Sequence, residues 1–139
     1  GYLGDITHVE KNILQNMISS DLCPVICSLT HDGNGQILNT NADTIAAELS
    51  VALTDLYDVS LKYCSEIPGV LEKLGNYDSL IKTIDSTSYK KLKQKNIISD
   101  GMIPKLENCF HALKNGVDKV FVGSIGILNS EEKSTQLKI

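Results

Sequence analysis

The sequence contains no arginine: all 13 of its basic residues are lysine. Any phosphate held by a side-chain cation must therefore meet an ammonium group, or else rest on main-chain N–H groups. Tryptophan is also absent, and aromatic residues make up only 5% of the chain. No apolar run approaches the roughly 20 residues that a membrane-spanning helix needs, so no membrane partner is expected. The start, Gly1-Tyr2-Leu3-Gly4-Asp5, has no basic end, no apolar signal segment and no initiator methionine. The expectation is an unsecreted chain that was processed or cut from something longer. A net charge of −4 argues against nucleic acid as a partner, because the phosphate backbone calls for clustered positive charge. The nucleotide-binding patterns G-x-G-x-x-G and G-x-x-x-x-G-K-[ST] are missing; H-E-x-x-H and a nucleophile elbow are missing too, so hydrolase chemistry has no anchor.

What is there suits one soluble domain. With 139 residues the chain can bury about two-thirds of its unfolded surface, and its apolar share of 42% is ordinary for a globular protein. The four cysteines are Cys23, Cys27, Cys64 and Cys109. Cys23 and Cys27 flank Pro24-Val25-Ile26 in a β-type run, where the separation of about 13 Å is too long for one zinc ion or one disulfide. Cys64 closes another apolar run and Cys109 falls on the apolar face of a helix, so all four are read as buried, reduced thiols in a reducing compartment. His8, His31 and His111 show no ligand spacing. Lys90, Lys91, Lys93 and Lys95 read as the solvated face of a helix.

Helical and strand patterns alternate along the chain. Thr7-His8-Val9-Glu10 has capping-box spacing ahead of a stripe formed by Val9, Ile13, Leu14, Met17 and Ile18. Cys23 to Leu29 predicts a buried strand, Asp32-Gly33-Asn34-Gly35 a tight turn, and Gln36 to Leu38 a return strand. A helix follows from Asn41 to Leu56, then a strand from Val59 to Cys64 and a turn at Ile67-Pro68-Gly69-Val70. Ser86 or Thr87 is expected to cap a helix ending near Lys95. A further helix from Gly101 carries Ile103, Leu106, Phe110 and Leu113 and stops at Asn115-Gly116. Lys119 to Val122 and Gln136 to Ile139 predict the last strands. The order implies an α/β three-layer sandwich with a largely parallel central sheet, whose ligands bind beyond the C-terminal ends of the strands.

Three segments at such ends carry groups suited to chemistry. Leu38-Asn39-Thr40-Asn41-Ala42-Asp43 places two amides and a carboxylate together. Asn41 can simply cap the helix, yet an amide also offers a donor and an acceptor to an amino-acid-like ligand, and Asp43 can orient lysines. Ser99-Asp100-Gly101-Met102-Ile103-Pro104-Lys105 opens a helix, where free N–H groups and the helix dipole favour an anion within reach of Lys105. Ser65-Glu66-Ile67-Pro68-Gly69-Val70 is either an ordinary turn or the lining of a nucleotide site.

Together Asn39-Thr40-Asn41-Ala42-Asp43, Ser65-Glu66-Ile67-Pro68-Gly69-Val70-Leu71 and Asp100-Gly101-Met102-Ile103-Pro104-Lys105 resemble the successive signatures of acetylglutamate kinases, members of the amino acid kinase family. The resemblance runs from the first residue to about Val122. It implies an ATP-dependent enzyme, working with Mg2+, that phosphorylates the side-chain carboxylate of N-acetyl-L-glutamate in arginine biosynthesis. By resemblance Lys105 and Asp43 are catalytic, Lys105 stabilising the transferring phosphoryl group and Asp43 organising the lysines of the site. Asn39 and Asn41 would hold the amino-acid substrate. Ser65, Glu66, Gly101, Met102 and Lys105 would line the nucleotide site, with no protein metal ligands. The resemblance also implies a cytoplasmic protein that is a homodimer or higher homo-oligomer at full length.

Residues 1–139 would then be the C-terminal, ATP-binding half of such a kinase. The N-terminal half, with its strand lysine, glycine-rich loops and substrate arginine, has no counterpart here, so the chain alone is expected to be inactive. Glu66 stands where the family usually has Asp, Ser134-Thr135 replaces an expected Gly-Thr, and residues 123–133 match poorly. Alternatives are a relative specific for N-succinyl-L-glutamate, a kinase for aspartate, carbamate or uridylate, and a non-catalytic nucleotide-binding module of the same fold. The paired asparagines before Asp43 weigh against the aspartate, carbamate and uridylate readings.

Overall fold

The run Val120-Phe121-Val122 joins β-branched residues to an aromatic, and it lies in a strand with four of its five residues buried. That strand sits inside a four-stranded sheet. In the computed structural model, which describes residues 2–98 and 101–139, the elements are α1 (Lys11–Ser19), β1 (Leu29–His31), β2 (Ile37–Asn39), α2 (Ala42–Leu53) and β3 (Ser60–Cys64), followed by β4 (Thr83–Ile84), α3 (Ser86–Gln94), α4 (Met102–Lys114), β5 (Lys119–Gly123) and β6 (Ser134–Leu137). The sheet order is β3-β5-β6-β4. β3 pairs with β5, and β4 with β6, in parallel, while β5 and β6 run antiparallel. β1 and β2 form a separate antiparallel hairpin.

The core lies between the sheet and α4. Leu106, Cys109, Phe110 and Leu113 recur at helical spacing and are all buried. They meet Leu61, Tyr63, Val120, Val122, Leu137 and Ile84 from the four strands. Each large apolar side chain removed from water in this way contributes about 1.5–3 kcal/mol. α2 packs beside α4, and Ala47, fully buried, belongs to the same core. Lys62 points away from these helices. It donates to the carbonyl of Ile127 at 3.0 Å, in the 3-10 turn Ile125–Leu128, and pairs with Glu131 at 2.9 Å.

The expected turn at Asp32 forms. Asp32 Oδ1 accepts from the N–H groups of Asn34 (2.7 Å) and Gln36 (3.1 Å), and Gly33 and Gly35 take φ of 78° and 96°. Those two N–H donors hold the Asp32 carboxyl below the usual range. The strand expected over Cys23–Leu29 does not form before Leu29. A strand needs a main-chain partner, and the return segment reaches back only to Ser28, whose carbonyl accepts from Thr40 N–H at 3.1 Å. Val25 is left 92% exposed. The cysteine reading is corrected with it: all four are free thiols, but Cys23, Cys27 and Cys64 are exposed and Cys109 alone is buried.

Two cap assignments also change. The Thr7–Glu10 capping box is not made, because Glu10 instead meets the His8 ring at 2.9 Å and α1 begins at Lys11 without a side-chain cap. α3 is capped by Asp85, ahead of both expected caps, Ser86 and Thr87. Its carboxylate accepts from Thr87 and Ser88 N–H, while Ser88 Oγ accepts from Asp85 N–H at 2.8 Å. The two-residue strand β4 was not anticipated, and β6 starts two residues earlier than expected.

Candidate active site

α2 begins where the sequence places it. Asn41 Oδ1 accepts from Asp43 N–H at 2.8 Å and from Thr44 N–H at 3.1 Å, closing the helix start. The expected cap is therefore made, and it occupies the oxygen of Asn41 while leaving its amide nitrogen unengaged by that bond. Asp43 stands in the first turn, where the helix dipole favours a negative charge.

α4 brings Lys105 to the same place. Its Nζ lies 2.6 Å from Asp43 Oδ1, with the two side chains 17% and 30% exposed. A second tie between the helices joins Asn108 Nδ2 to Thr44 Oγ1 at 3.3 Å. Beneath the pair lies Tyr63, the penultimate residue of β3, so the pair sits beyond the C-terminal ends of the parallel strands β3 and β5. The Tyr63 ring centroid is 4.6 Å from Lys105 Nζ, and its hydroxyl donates to the main-chain carbonyl of Asp43 at 2.6 Å. Burial, then Cys109 and Asp43 nearby, push the Tyr63 phenol well above its usual range. Burial likewise pushes the Cys109 thiol up to about 12, against the pull of Lys105 and with that of Asp43.

The turn after β3 is anchored to the strand ends. Ser65 N–H donates to the carbonyl of Gly123 at 2.7 Å, and the Ser65 hydroxyl donates to that of Ile67 at 2.9 Å. Glu66 is exposed, with no hydrogen bond or ion pair among the described residues. Between this turn and the start of α4 runs a groove of about 210 Å³, lined by Ile67, Val70, Leu71, Ile97, Ile98 and Met102. Gly101 precedes α4 with φ −70°, a conformation open to any residue, and a Cβ there would meet nothing within 4 Å. Among the described residues no side chain caps the helix that the N–H groups of Met102 and Ile103 start. Ser99 and Asp100 lie outside the described residues.

Asn39 ends β2, exposed, four residues before Asp43; no described contact joins it to the Lys105–Asp43 pair. Thr40 beside it is buried, its hydroxyl donating to the carbonyl of Gly4 at 3.1 Å and lying 2.7 Å from that of Thr30. Sequence reasoning passed over Tyr63. The available signal was its inward position on β3, in step with Leu61, at the ligand-binding end of the strand. Among the described residues no group of three or more His, Cys, Asp or Glu side chains gathers as metal ligands, and no helix is long and apolar enough to cross a membrane.

A family model described as "Amino acid kinase family" matches residues 1–124. The chain is 44% identical over 142 residues to an acetylglutamate kinase of Cytophaga hutchinsonii, an alignment covering 100% of this chain and 54% of that protein. It spans about half the length of the curated relatives it matches. The solved structure of smu.665 from Streptococcus mutans UA159 superposes with a TM-score of 0.76 at 32% identity, covering 88% of this chain and 47% of that one. An N-acetylglutamate synthase from Neisseria gonorrhoeae, solved with coenzyme A and N-acetyl-glutamate, superposes at TM-score 0.83 over 99% of this chain and 32% of that one; at 18% identity the likeness is one of fold alone.

Proposed function

Because this chain belongs to the amino acid kinase family, we propose that it is the C-terminal, ATP-binding half of an acetylglutamate kinase. The intact enzyme would transfer the γ-phosphoryl group of ATP to the side-chain carboxylate of N-acetyl-L-glutamate. A carboxylate oxygen forms the new P–O bond, the bond to the β-phosphate oxygen breaks, and ADP leaves with that electron pair. Such a transfer needs in-line positioning and compensation of charge on the equatorial oxygens, rather than a protein nucleophile.

The observation that carries this reading is the 2.6 Å pair of Lys105 and Asp43, drawn together from 62 residues apart. An aspartate that holds an ammonium group in place preorganises a positive charge for the developing transition state. Lys105 is assigned to the transferring phosphoryl group and Asp43 to orienting Lys105. Met102 and Gly101 are assigned to the nucleotide: the apolar groove beside Met102 suits a base, and the N–H groups at the start of α4 suit its phosphates. Ser65 already commits its N–H to the carbonyl of Gly123 and its hydroxyl proton to that of Ile67, leaving its hydroxyl oxygen to accept from the nucleotide; Glu66, exposed beside it, is the stronger candidate for a ribose contact. Asn39 and the amide nitrogen of Asn41 are assigned to the amino-acid substrate. Mg2+ would travel with the phosphates of ATP and supply further neutralising charge there.

The reading extends to the rest of the protein. Leu22, Val25, Ile26, Leu29 and Ile37 are all exposed apolar side chains near the hairpin, a patch suited to contact with an N-terminal, substrate-binding half. The half described here would be inactive alone, and the full protein a cytoplasmic homo-oligomer. The test is a coupled ATP-turnover assay on the intact protein, with hydroxylamine trapping of the acyl phosphate. ADP formation that requires N-acetyl-L-glutamate is the expected result. A requirement for N-succinyl-L-glutamate instead reassigns the acyl group, and turnover indifferent to both acceptors overturns the assignment.

A further inference from the structure

We propose that Tyr63 is a positioning residue for phosphoryl transfer, its ring orienting the Lys105 ammonium group and its hydroxyl fixing the turn of α2 that carries Asp43. The inference rests on the kinase reading above and adds a residue to it. Tyr63 touches both members of the pair by different chemistry. Its ring face lies 4.6 Å from Lys105 Nζ, while its hydroxyl donates to the Asp43 carbonyl at 2.6 Å.

A merely structural role at this position asks for less. Leu61, two residues earlier on the same face of β3, fills the core without any polar contact. A leucine at position 63 would bury comparable apolar surface, but it would offer Lys105 no ring and the helix start no hydrogen bond. Lys105 is drawn largely out of water, and the electron-rich ring face replaces part of its lost hydration. The ring, 4.6 Å from the ammonium nitrogen, and the Asp43 carboxylate, 2.6 Å from it, thus hold the same group by two different contacts. Burial raises the pH at which the phenol ionises, so Tyr63 stays a neutral donor at physiological pH. One strand residue thereby ties together two helices that are also joined by the polar contacts Lys105–Asp43 and Asn108–Thr44.

The experiment uses the intact enzyme and four variants, Tyr63→Phe, Tyr63→Leu, Lys105→Ala and the double variant Tyr63→Leu/Lys105→Ala, assayed well below their melting temperatures. Tyr63→Leu should lower kcat by about tenfold with KM for ATP changed less than about threefold, and Tyr63→Phe should restore most of the loss by keeping the ring. In a Lys105→Ala background, Tyr63→Leu should have no further effect, because the group it positions is gone. An unchanged kcat in Tyr63→Leu, or the same tenfold loss with Lys105 absent, overturns the inference. Should Tyr63→Leu fail to fold, fluorinated phenylalanines at position 63 preserve size: kcat should fall stepwise as fluorine weakens the ring face, and a flat series overturns the inference. Wild-type enzyme with no acceptor-dependent turnover overturns the kinase reading itself and this inference with it, whereas an active wild type with a silent position 63 overturns this inference alone.

Discussion

Thr135 and Gly69 touch where two distant parts of the chain cross: a Cβ on Gly69 would lie 2.5 Å from Thr135 Oγ1 and 2.9 Å from Thr135 N. Gly69 takes φ of 149°, and the fully buried Thr135 hydroxyl accepts from Val70 N–H at 2.8 Å and donates to the Ile81 carbonyl at 2.7 Å. Strand β6 thereby holds the turn that follows β3.

Thr135→Val should deprive both main-chain groups of this partner, the Val70 N–H in a buried position, lowering the unfolding free energy by about 2–4 kcal/mol. Urea denaturation reads it directly. Gly69→Ala should also destabilise, through contact with Thr135 and a disfavoured φ. A loss below about 0.5 kcal/mol for Thr135→Val would mean that the hydroxyl does not hold the turn.

Lys105→Ala in the intact enzyme should lower kcat by about two to three orders of magnitude, as expected for loss of one preorganised charge donor. Asp43→Asn should reduce turnover while shifting the melting temperature little, since the amide keeps an oxygen acceptor for Lys105 and the main-chain bond from residue 43 to Asn41 is untouched. Steady-state kinetics beside thermal melts separates the two: collapse of the melt in Asp43→Asn would make Asp43 structural.

Asn41 can be dissected because its oxygen and its nitrogen have different work. Asn41→Asp keeps the cap oxygen for Asp43 and Thr44 N–H, so stability should hold while KM for the amino-acid substrate rises. Asn41→Ala should in addition lose about 1 kcal/mol of stability. An unchanged KM in Asn41→Asp would confine Asn41 to capping.

Alkaline pH should weaken the fold through Cys109. Its thiol is raised from an ordinary 9.0 to about 12 by burial, so the unfolded chain ionises first as pH rises. The stabilisation is complete below pH 9.0 and is lost progressively toward about 12. Tyr63, also raised, adds the same sign above 10.0. Denaturant titrations at a series of pH values should show a shallower decline in Cys109→Ala; an equal slope in both proteins removes Cys109 as the cause. Thiol labelling supplies a second measure: Cys23, Cys27 and Cys64 should react in the folded protein and Cys109 only on unfolding.

The legible parts of the fold were those written in neighbouring residues. Asp32-Gly33-Asn34-Gly35 encodes its own turn, and Asn41 caps a helix whose N–H groups are two and three residues away. α4 was read almost to the residue, from its apolar stripe to Gly116 with φ 98°. Misreadings came where one local option competed with another. Asp85 took the cap expected of Ser86, because its carboxylate reaches two N–H groups at once, and Glu10 met His8 instead of a helix start. Apolar content also overstated burial: Cys23–Ser28 looks like a core strand, yet burial depends on a neighbour that these residues cannot specify.

Sequence alone determined the helices, the turns, the reliance on lysine for charge and the segments in which chemistry could sit, because each depends on hydrogen bonds and periodicities spanning only a few residues. Tertiary structure decided that Asp43 and Lys105 form one pair, that Tyr63 lies under it, and that Thr135 secures the turn at Gly69. Those contacts join residues 20 to 65 positions apart. No periodicity encodes such a meeting; it follows from parallel strands β3 and β5 bringing the starts of α2 and α4 to the same edge of the sheet.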